Sequence, residues 1–181
     1  FNFAAGNNLV SLYSIPPEDQ SVEFIFGSLG ENVTDIIGES QLAFNLPGIG
    51  WIGSLDTLSA DEGYWIRLDE NANLPVYGLP SEDIQYFIHE GANLISYPYG
   101  DVQSIEDALP SEVHQNIWAI FGQGVSAMNI NGNWMGSLNS FEGGAGYWII
   151  ATANFAFEYN QPDGAALSVA NTLVTPPDEP N

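Results

Sequence analysis

The chain has 181 residues, of which 23 are aspartate or glutamate, one is lysine or arginine and none is cysteine, so its formal charge is −22 at pH 7. A chain with one cation cannot neutralise a phosphate backbone or an anionic lipid surface, which excludes nucleic-acid binding and electrostatic attachment to membranes. The lack of cysteine excludes disulfides, thiolate metal sites and cysteine nucleophiles. No apolar stretch reaches the roughly 18 residues of a membrane-spanning helix, so no membrane insertion is expected.

Two copies of one series of elements are predicted along the chain: a strand, a short helix, a second strand, a hairpin and two closing strands. The predicted strands outside the hairpins are 8–13, 33–37, 64–68 and a short one near Val76, then 93–97, 117–121, 147–150 and a short one near Phe157. Ser21 and Ser104 are expected to cap the helices, because a serine hydroxyl accepts from the free N–H groups of a first helical turn. Asn131 and Gly132 are typical of a type I′ hairpin turn.

Self-comparison explains this duplication, because the chain contains an internal repeat. Six blocks of matching residues recur at an offset of 83 to 85 positions, and the matches include Gly6 with Gly91, Leu9 with Leu94, Trp51 with Trp134 and Gly63 with Gly146. We therefore predict two homologous modules, 1–79 and 84–160, followed by a proline-rich tail or linker at 161–181. The expected fold is β-dominant α+β. Each module would be a small β-sheet or partial barrel with one short helix, and a pseudo-twofold axis would relate the two.

Two motifs bracket each module. Gly-Asn-Asn-Leu-Val-Ser at 6–11 returns as Gly-Ala-Asn-Leu-Ile-Ser at 91–96, and Gly-Tyr-Trp-Ile stands at both 63–66 and 146–149. This pair of motifs resembles a tandem repeat module of secreted, cell-surface and marine phage-like proteins. The resemblance implies an accessory, non-enzymatic role at an extracellular, cell-surface or virion-surface location, and it supplies neither catalytic residues nor a ligand. Because the chain does not begin with Met, we expect a processed protein or a piece of a larger one.

Candidate catalytic groups do not recur between the modules. His89 and His114 lie at non-equivalent positions, and no serine lies in a Gly-x-Ser-x-Gly turn. Neighbouring acids such as Asp61 and Glu62 fall in predicted turns, whereas a glycosidase needs two carboxylates that face each other across a cleft. We therefore predict that the protein is not an enzyme and has no catalytic residues. An enzyme with an unrecognised site stays a third hypothesis.

Calcium is the one cofactor that the sequence leaves open. Asp69, Asn71 and Asn73 have the spacing of the first oxygen ligands in a calcium loop. The glycine and the closing glutamate of an EF-hand are missing, since Leu74 and Pro80 stand at those positions. The sequence therefore indicates, at most, an irregular calcium site.

The tryptophans provide the strongest ligand-binding signal. Trp51, Trp65, Trp134 and Trp148 recur at equivalent positions of the two modules. Exposed rings beside polar side chains would form a platform for a sugar, whereas packed rings would belong to the module cores. Our first hypothesis is a non-enzymatic extracellular or virion-surface structural or adhesion module. It would act through protein partners or self-assembly, with the 161–181 tail as one contact. The alternative is a carbohydrate-binding module that uses these four tryptophans.

Overall fold

The computed structural model describes residues 1–76, 78–80 and 84–162, so residues 163–181 of the predicted tail lie outside the described residues. The described part of the chain contains 18 strands and two short α-helices. This content confirms the β-dominant α+β class that the sequence predicts.

The main elements follow one another twice in the same series, whereas some of the short two-residue strands differ between the modules. The first module contains β1 (Asn2–Phe3), β2 (Gly6–Ser11), β3 (Ser14–Ile15), α1 (Val22–Phe26), a 3-10 segment (Gly27–Asn32), β4 (Val33–Ile37), β5 (Leu42–Leu46), β6 (Gly50–Gly53), β7 (Gly63–Leu68), β8 (Ala72–Asn73) and β9 (Leu79–Pro80). The second module contains β10 (Tyr86–Ile88), β11 (Gly91–Ile95), β12 (Gln103–Ser104), α2 (Ile105–Ala108), a 3-10 segment (His114–Asn116), β13 (Ile117–Gly122), β14 (Val125–Ile130), β15 (Asn133–Gly136), β16 (Ser140–Phe141), β17 (Tyr147–Ala151) and β18 (Phe155–Phe157).

Each module builds one five-stranded antiparallel sheet, and the strand order is the same in both. The orders are β2-β7-β4-β5-β6 and β11-β17-β13-β14-β15. A small two-stranded sheet joins the beginning of each module to its end, through β1 with β8 and β10 with β18. In the described residues both large sheets have a linear strand order, in agreement with the predicted small sheet or partial barrel.

Local signals in the sequence place most of the elements. The Ser21 hydroxyl accepts from the Phe24 N–H at 3.2 Å, and the Ser104 hydroxyl accepts from the Asp107 N–H at 3.1 Å, which confirms both helix caps. Asn131 and Gly132 have φ values of 54° and 86°, as a type I′ turn requires. These contacts are local, which explains why the sequence alone could predict them.

Pairing partners correct the predicted bounds of both opening strands. The first is Gly6–Ser11 rather than 8–13, because its ladder with β7 begins at Gly6 and ends at Ser11. The second is Gly91–Ile95 rather than 93–97, because its ladder with β17 covers those residues.

Val76 lies between two paired strands, because β8 (Ala72–Asn73) pairs with β1 and β9 (Leu79–Pro80) pairs with β3. The short strand predicted near Val76 is therefore displaced to Ala72–Asn73, and Val76 itself is partly buried against the first core.

Each sheet turns one face towards an apolar core of its own. Ile36, Tyr64 and Ile66 are fully buried in the first core, and α1 covers them with Phe26. The second core contains the equivalent residues of β13 and β17, and α2 packs over that sheet in the same way. The two cores share no residue. Each module therefore has its own hydrophobic centre.

The modules meet through reciprocal contacts between equivalent positions. The backbone bridge between Val10 and Ala145 has its counterpart in the bridge between Glu62 and Ile95. The Ser11 N–H donates to the Gly144 carbonyl at 3.0 Å, and the equivalent Ser96 N–H donates to the Asp61 carbonyl at 3.1 Å. Contacts that repeat with the partners exchanged are those of a twofold axis. The predicted pseudo-twofold arrangement therefore describes the interface.

Side chains from the opposite module complete the edges of β2 and β11. The Leu9 N–H donates to Gln123 Oε1 at 2.8 Å, and the Leu94 N–H donates to Glu39 Oε2 at 2.8 Å. Leu9 and Leu94 are 4% and 2% exposed and belong to neither core. An edge strand with unpaired N–H groups is a template for unwanted pairing, and each module removes this hazard for the other.

The glycine of each Gly-Tyr-Trp-Ile motif permits this close approach. A Cβ at Gly63 would lie 2.8 Å from the Ile95 carbonyl oxygen, and one at Gly146 would lie 2.7 Å from the Val10 carbonyl oxygen. Because both obstacles are backbone atoms, a side chain cannot move aside to make room. These two glycines therefore have a packing role at the interface.

Replacing Gly63 by alanine should destabilise the protein by about 1–3 kcal/mol, because the added methyl group has to push the modules apart. Urea unfolding monitored by tryptophan fluorescence would measure this loss. Gly27→Ala is the control, since its Cβ would have nothing nearer than Glu23 Oε1 at 4.0 Å. Equal stability of the Gly63 variant and the wild type would contradict the described interface.

Candidate functional site

The outward side of the first sheet is apolar, although the chain is strongly acidic. Successive residues of a strand point to opposite sides of the sheet, so the residues between the core residues point outward. The cross-strand register brings these outward residues of β4, β5, β6 and β7 next to one another. We call this outward set face 1; it consists of Ile37, Leu42, Phe44, Ile52, Trp65, Asp35 and Arg67. Four apolar residues of face 1 are 37–47% exposed, namely Ile37, Leu42, Phe44 and Ile52.

The second sheet has an equivalent outward surface without any charged residue. We call it face 2; it consists of Phe121, Met128, Met135, Trp148, Ile150 and Ala119, of which Ala119 is fully buried. Ala119 and Ile150 replace the Asp35 and Arg67 of face 1, and Met135 is 58% exposed. Exposed apolar patches on a sheet mark surfaces that contact other molecules.

The structure divides the four repeated tryptophans into two kinds. Trp65 and Trp148 are half-buried on faces 1 and 2, in register with Ile37 and Phe121. Trp51 and Trp134 are partly buried against the two cores on the opposite sides of the sheets. The four rings therefore do not form one continuous platform.

The predicted calcium ligands hold the beginning of the chain in place. Asn71 Oδ1 accepts from the Ala5 N–H at 2.8 Å, and Asn73 Nδ2 donates to Asn2 Oδ1 at 2.7 Å. Both amides therefore stabilise the pairing of β1 with β8. Asp69, at the end of β7, uses its backbone N–H to bond the Asn32 carbonyl at 3.0 Å. Among the described residues, no three His, Cys, Asp or Glu side chains are grouped to hold a metal ion.

A fifth tryptophan, which the sequence analysis did not select, lines a surface groove. Trp118 is 49% exposed, and it lies where the register between β13 and β17 shifts, between Ile117 and Ala119. The shift is a β-bulge, a feature that redirects a side chain. The groove has a volume of about 620 Å³. Trp118 shares it with Ser111, His114, Gln115, Asn129, Asn131 and Thr152.

The larger groove of the second module has the opposite electrostatic character. It has a volume of about 990 Å³ and lies beside α2. Four carboxylates line it, at Asp101, Glu106, Asp107 and Glu112. Among the described residues, no Asp or Glu lines the Trp118 groove, so the two grooves suit ligands of different charge.

The buried tyrosines are neutral structural donors and acceptors. Burial raises the pKa of Tyr147 to about 12 and raises the pKa of the equivalent Tyr64 above its ordinary range. The Tyr64 hydroxyl accepts from the Ser59 N–H at 2.7 Å, and the Tyr147 hydroxyl accepts from the Glu142 N–H at 2.8 Å. Both phenols therefore stabilise equivalent turns before β7 and β17.

An ion pair crosses the interface between the modules. His89 Nε2 lies 2.7 Å from Glu39 Oε1, while His89 Nδ1 lies 2.8 Å from the Glu90 carbonyl oxygen. Both ring nitrogens face acceptors, so the imidazolium form, which has two N–H donors, fits this position best. The hydrogen bond to Glu39 raises the pKa of His89 above its ordinary value of 6.5.

No protein-family model matches the chain, and no curated protein or solved structure matches it. In the part of the chain that the structure describes, no helix is long and apolar enough to cross a membrane. The function is therefore inferred from the surfaces of this molecule.

The His89 pair gives a prediction for pH dependence. Because the pKa of His89 is raised in the folded state, its stabilisation is complete below about pH 6.5 and is lost as the pH rises through the folded pKa. His89→Gln should therefore lower the melting temperature more at about pH 5.5 than at about pH 8.5. In a Glu39→Gln background this difference between the two pH values should shrink. A loss that is the same at both pH values would argue against the pair.

Proposed function

We propose that this chain is a non-enzymatic structural or adhesion module of an extracellular or virion surface, and that it acts by assembling with copies of itself. The observation that carries the proposal is the pair of exposed apolar sheet faces, which both modules retain although the chain has a net charge of −22. The location rests on the resemblance of the two repeated motifs to secreted and phage-like modules.

The second copy is favoured as the partner because face 1 is self-complementary. It contains Asp35 and Arg67, which are cross-strand neighbours in the ladder between β4 and β7. Arg67 is the chain's one Lys or Arg residue, it is exposed, and its guanidinium makes no ion pair within the described residues. In a twofold contact between two copies of face 1, each Arg67 would meet Asp35 of the other copy.

Face 2 is a second surface through which another copy of the chain could bind. It has no charge to pair, so two copies of face 2 would associate by burying apolar surface alone. A molecule with two self-complementary surfaces forms a linear polymer rather than a closed dimer. Repulsion between acidic chains opposes this assembly, and salt or a divalent cation screens the repulsion.

Phe44→Ser and Arg67→Asp should each weaken association through face 1 by about tenfold or more and leave only pairs formed through face 2, because they remove the apolar centre and the ion pairs of face 1. Multi-angle light scattering at about 0.02 M and about 0.5 M NaCl, with and without calcium, would measure the association. The wild type should form oligomers at the higher salt concentration. The double variant Asp35→Lys with Arg67→Asp should recover association, because it restores opposite charges across the contact.

Phe24→Ser is the matched control, since Phe24 is 52% exposed on α1 and lies outside both faces. It should associate like the wild type. A monomer under all four conditions would overturn the assembly proposal, and so would an equal loss in the Phe24 variant. A complex that forms only with another protein would assign the faces to a different partner.

The contact predicted for the 161–181 tail stays a prediction, because only residues 161 and 162 of that segment are described. Carbohydrate binding is the second candidate function. The four repeated tryptophans do not form one platform, and the observation that favours this candidate is the exposed ring of Trp118.

A further inference from the structure

We infer that the Trp118 groove of the second module is a binding site for a neutral oligosaccharide, with the indole ring as the platform for one pyranose. This inference goes beyond the proposed assembly and uses neither face 1 nor face 2. It assigns glycan binding to Trp118, which has no tryptophan at the equivalent position of the first module, rather than to the four repeated tryptophans.

The first module provides an internal reference for this groove. Hydrogen bonds fix the correspondence, because Asn45 Nδ2 donates to the Gly30 carbonyl at 2.8 Å and the equivalent Asn129 Nδ2 donates to the His114 carbonyl at 2.8 Å. The β-bulge also recurs, between Val33 and Asp35. The two modules therefore share this hydrogen bond and the β-bulge. They differ in the backbone at Gly30, which has a φ of 55°, and in their side chains.

These differences change a charged surface into a neutral aromatic one. Thr34, Glu31 and Asp69 of the first module correspond to Trp118, Gln115 and Thr152 of the second. The same backbone pairing supports the last correspondence, since the Asp69 N–H bonds the Asn32 carbonyl and the Thr152 N–H bonds the Asn116 carbonyl. Two carboxylates have become an amide and a hydroxyl, and a small residue has become the largest aromatic one.

Two polar side chains of the groove are free to bind a ligand, whereas His114, Gln115, Asn129 and Thr152 already bond main-chain groups. The Ser111 hydroxyl and the Asn131 side-chain amide make no hydrogen bond to the rest of the described chain, so they are available to ligand hydroxyls. The groove volume of about 620 Å³ lies within the range of small-ligand sites.

The chemistry of these groups identifies the class of ligand. A pyranose has an apolar C–H face, which packs on an exposed indole, and an edge of hydroxyl groups, which pair with amides and hydroxyls. A cation would favour the carboxylate-lined groove beside α2, and an anion would be repelled by the charge of the whole chain. The neutral groove therefore fits an uncharged sugar better than a charged ligand.

The test uses the full chain and a printed array of neutral and acidic glycans, followed by titration with soluble cellohexaose, chitohexaose and mannohexaose. At least one neutral glycan should bind the wild type. Trp118→Thr, which introduces the residue of the first module, should weaken this binding by about tenfold or more and leave the melting temperature unchanged. In amide NMR spectra of the wild type, the sugar should shift one indole N–H signal. That signal should be the one that is missing from the spectrum of Trp118→Thr.

Phe87→Ser is the matched control, because Phe87 is 77% exposed on β10 and does not line the groove. It should bind the glycan like the wild type, and so should Phe44→Ser, so a failure of assembly and a failure of this site are distinguishable. Three outcomes would overturn the inference. The first is that no neutral glycan binds the wild type. The second is that only acidic glycans or peptides bind. The third is that Trp118→Thr binds the glycan as tightly as the wild type.

Discussion

The unpaired edges of β2 and β11 are the constraint on which the rest of the molecule depends. Each edge strand carries backbone N–H groups that need acceptors, and the opposite module supplies them through a main-chain carbonyl and a side-chain oxygen. The approach needed for these bonds leaves no space for a Cβ at Gly63 or Gly146. Two modules with separate cores thereby become one unit, and this contact decides which surfaces remain accessible.

The accessible surfaces follow from that arrangement. With one side of each sheet on its core and one edge against the other module, the outward sides and the edge strands β6 and β15 remain, and the outward sides are mostly apolar. An acidic chain with so few cations would be expected to cover itself with carboxylates. A need for solubility does not explain the composition of faces 1 and 2 or of the Trp118 groove, where no described carboxylate lies.

Local patterns predicted the elements, and non-local pairing decided the rest. Repeat matching, serine caps and the Asn131–Gly132 turn depend on a few neighbouring residues, so the sequence was sufficient for the strand series, the helices and the fold class. The misplaced strand near Val76 depended on β1, which lies far away in the sequence. The search for repeated residues also favoured Trp51 and its equivalents and passed over Trp118, because Trp118 corresponds to a threonine. A comparison of the positions at which the two modules differ would have found it.

The reciprocal interface has a consequence for how the two halves can change. Contacts with exchanged partners are what a symmetric dimer of a single module would have, and here one chain contains both halves. In such a dimer every substitution appears twice, so a change that suits one groove is forced on the other. Duplication and fusion within one gene remove this obligation. One half of the pseudosymmetric chain can conserve the scaffold with Thr34 while the other half acquires Trp118, and the shared interface still holds both in register.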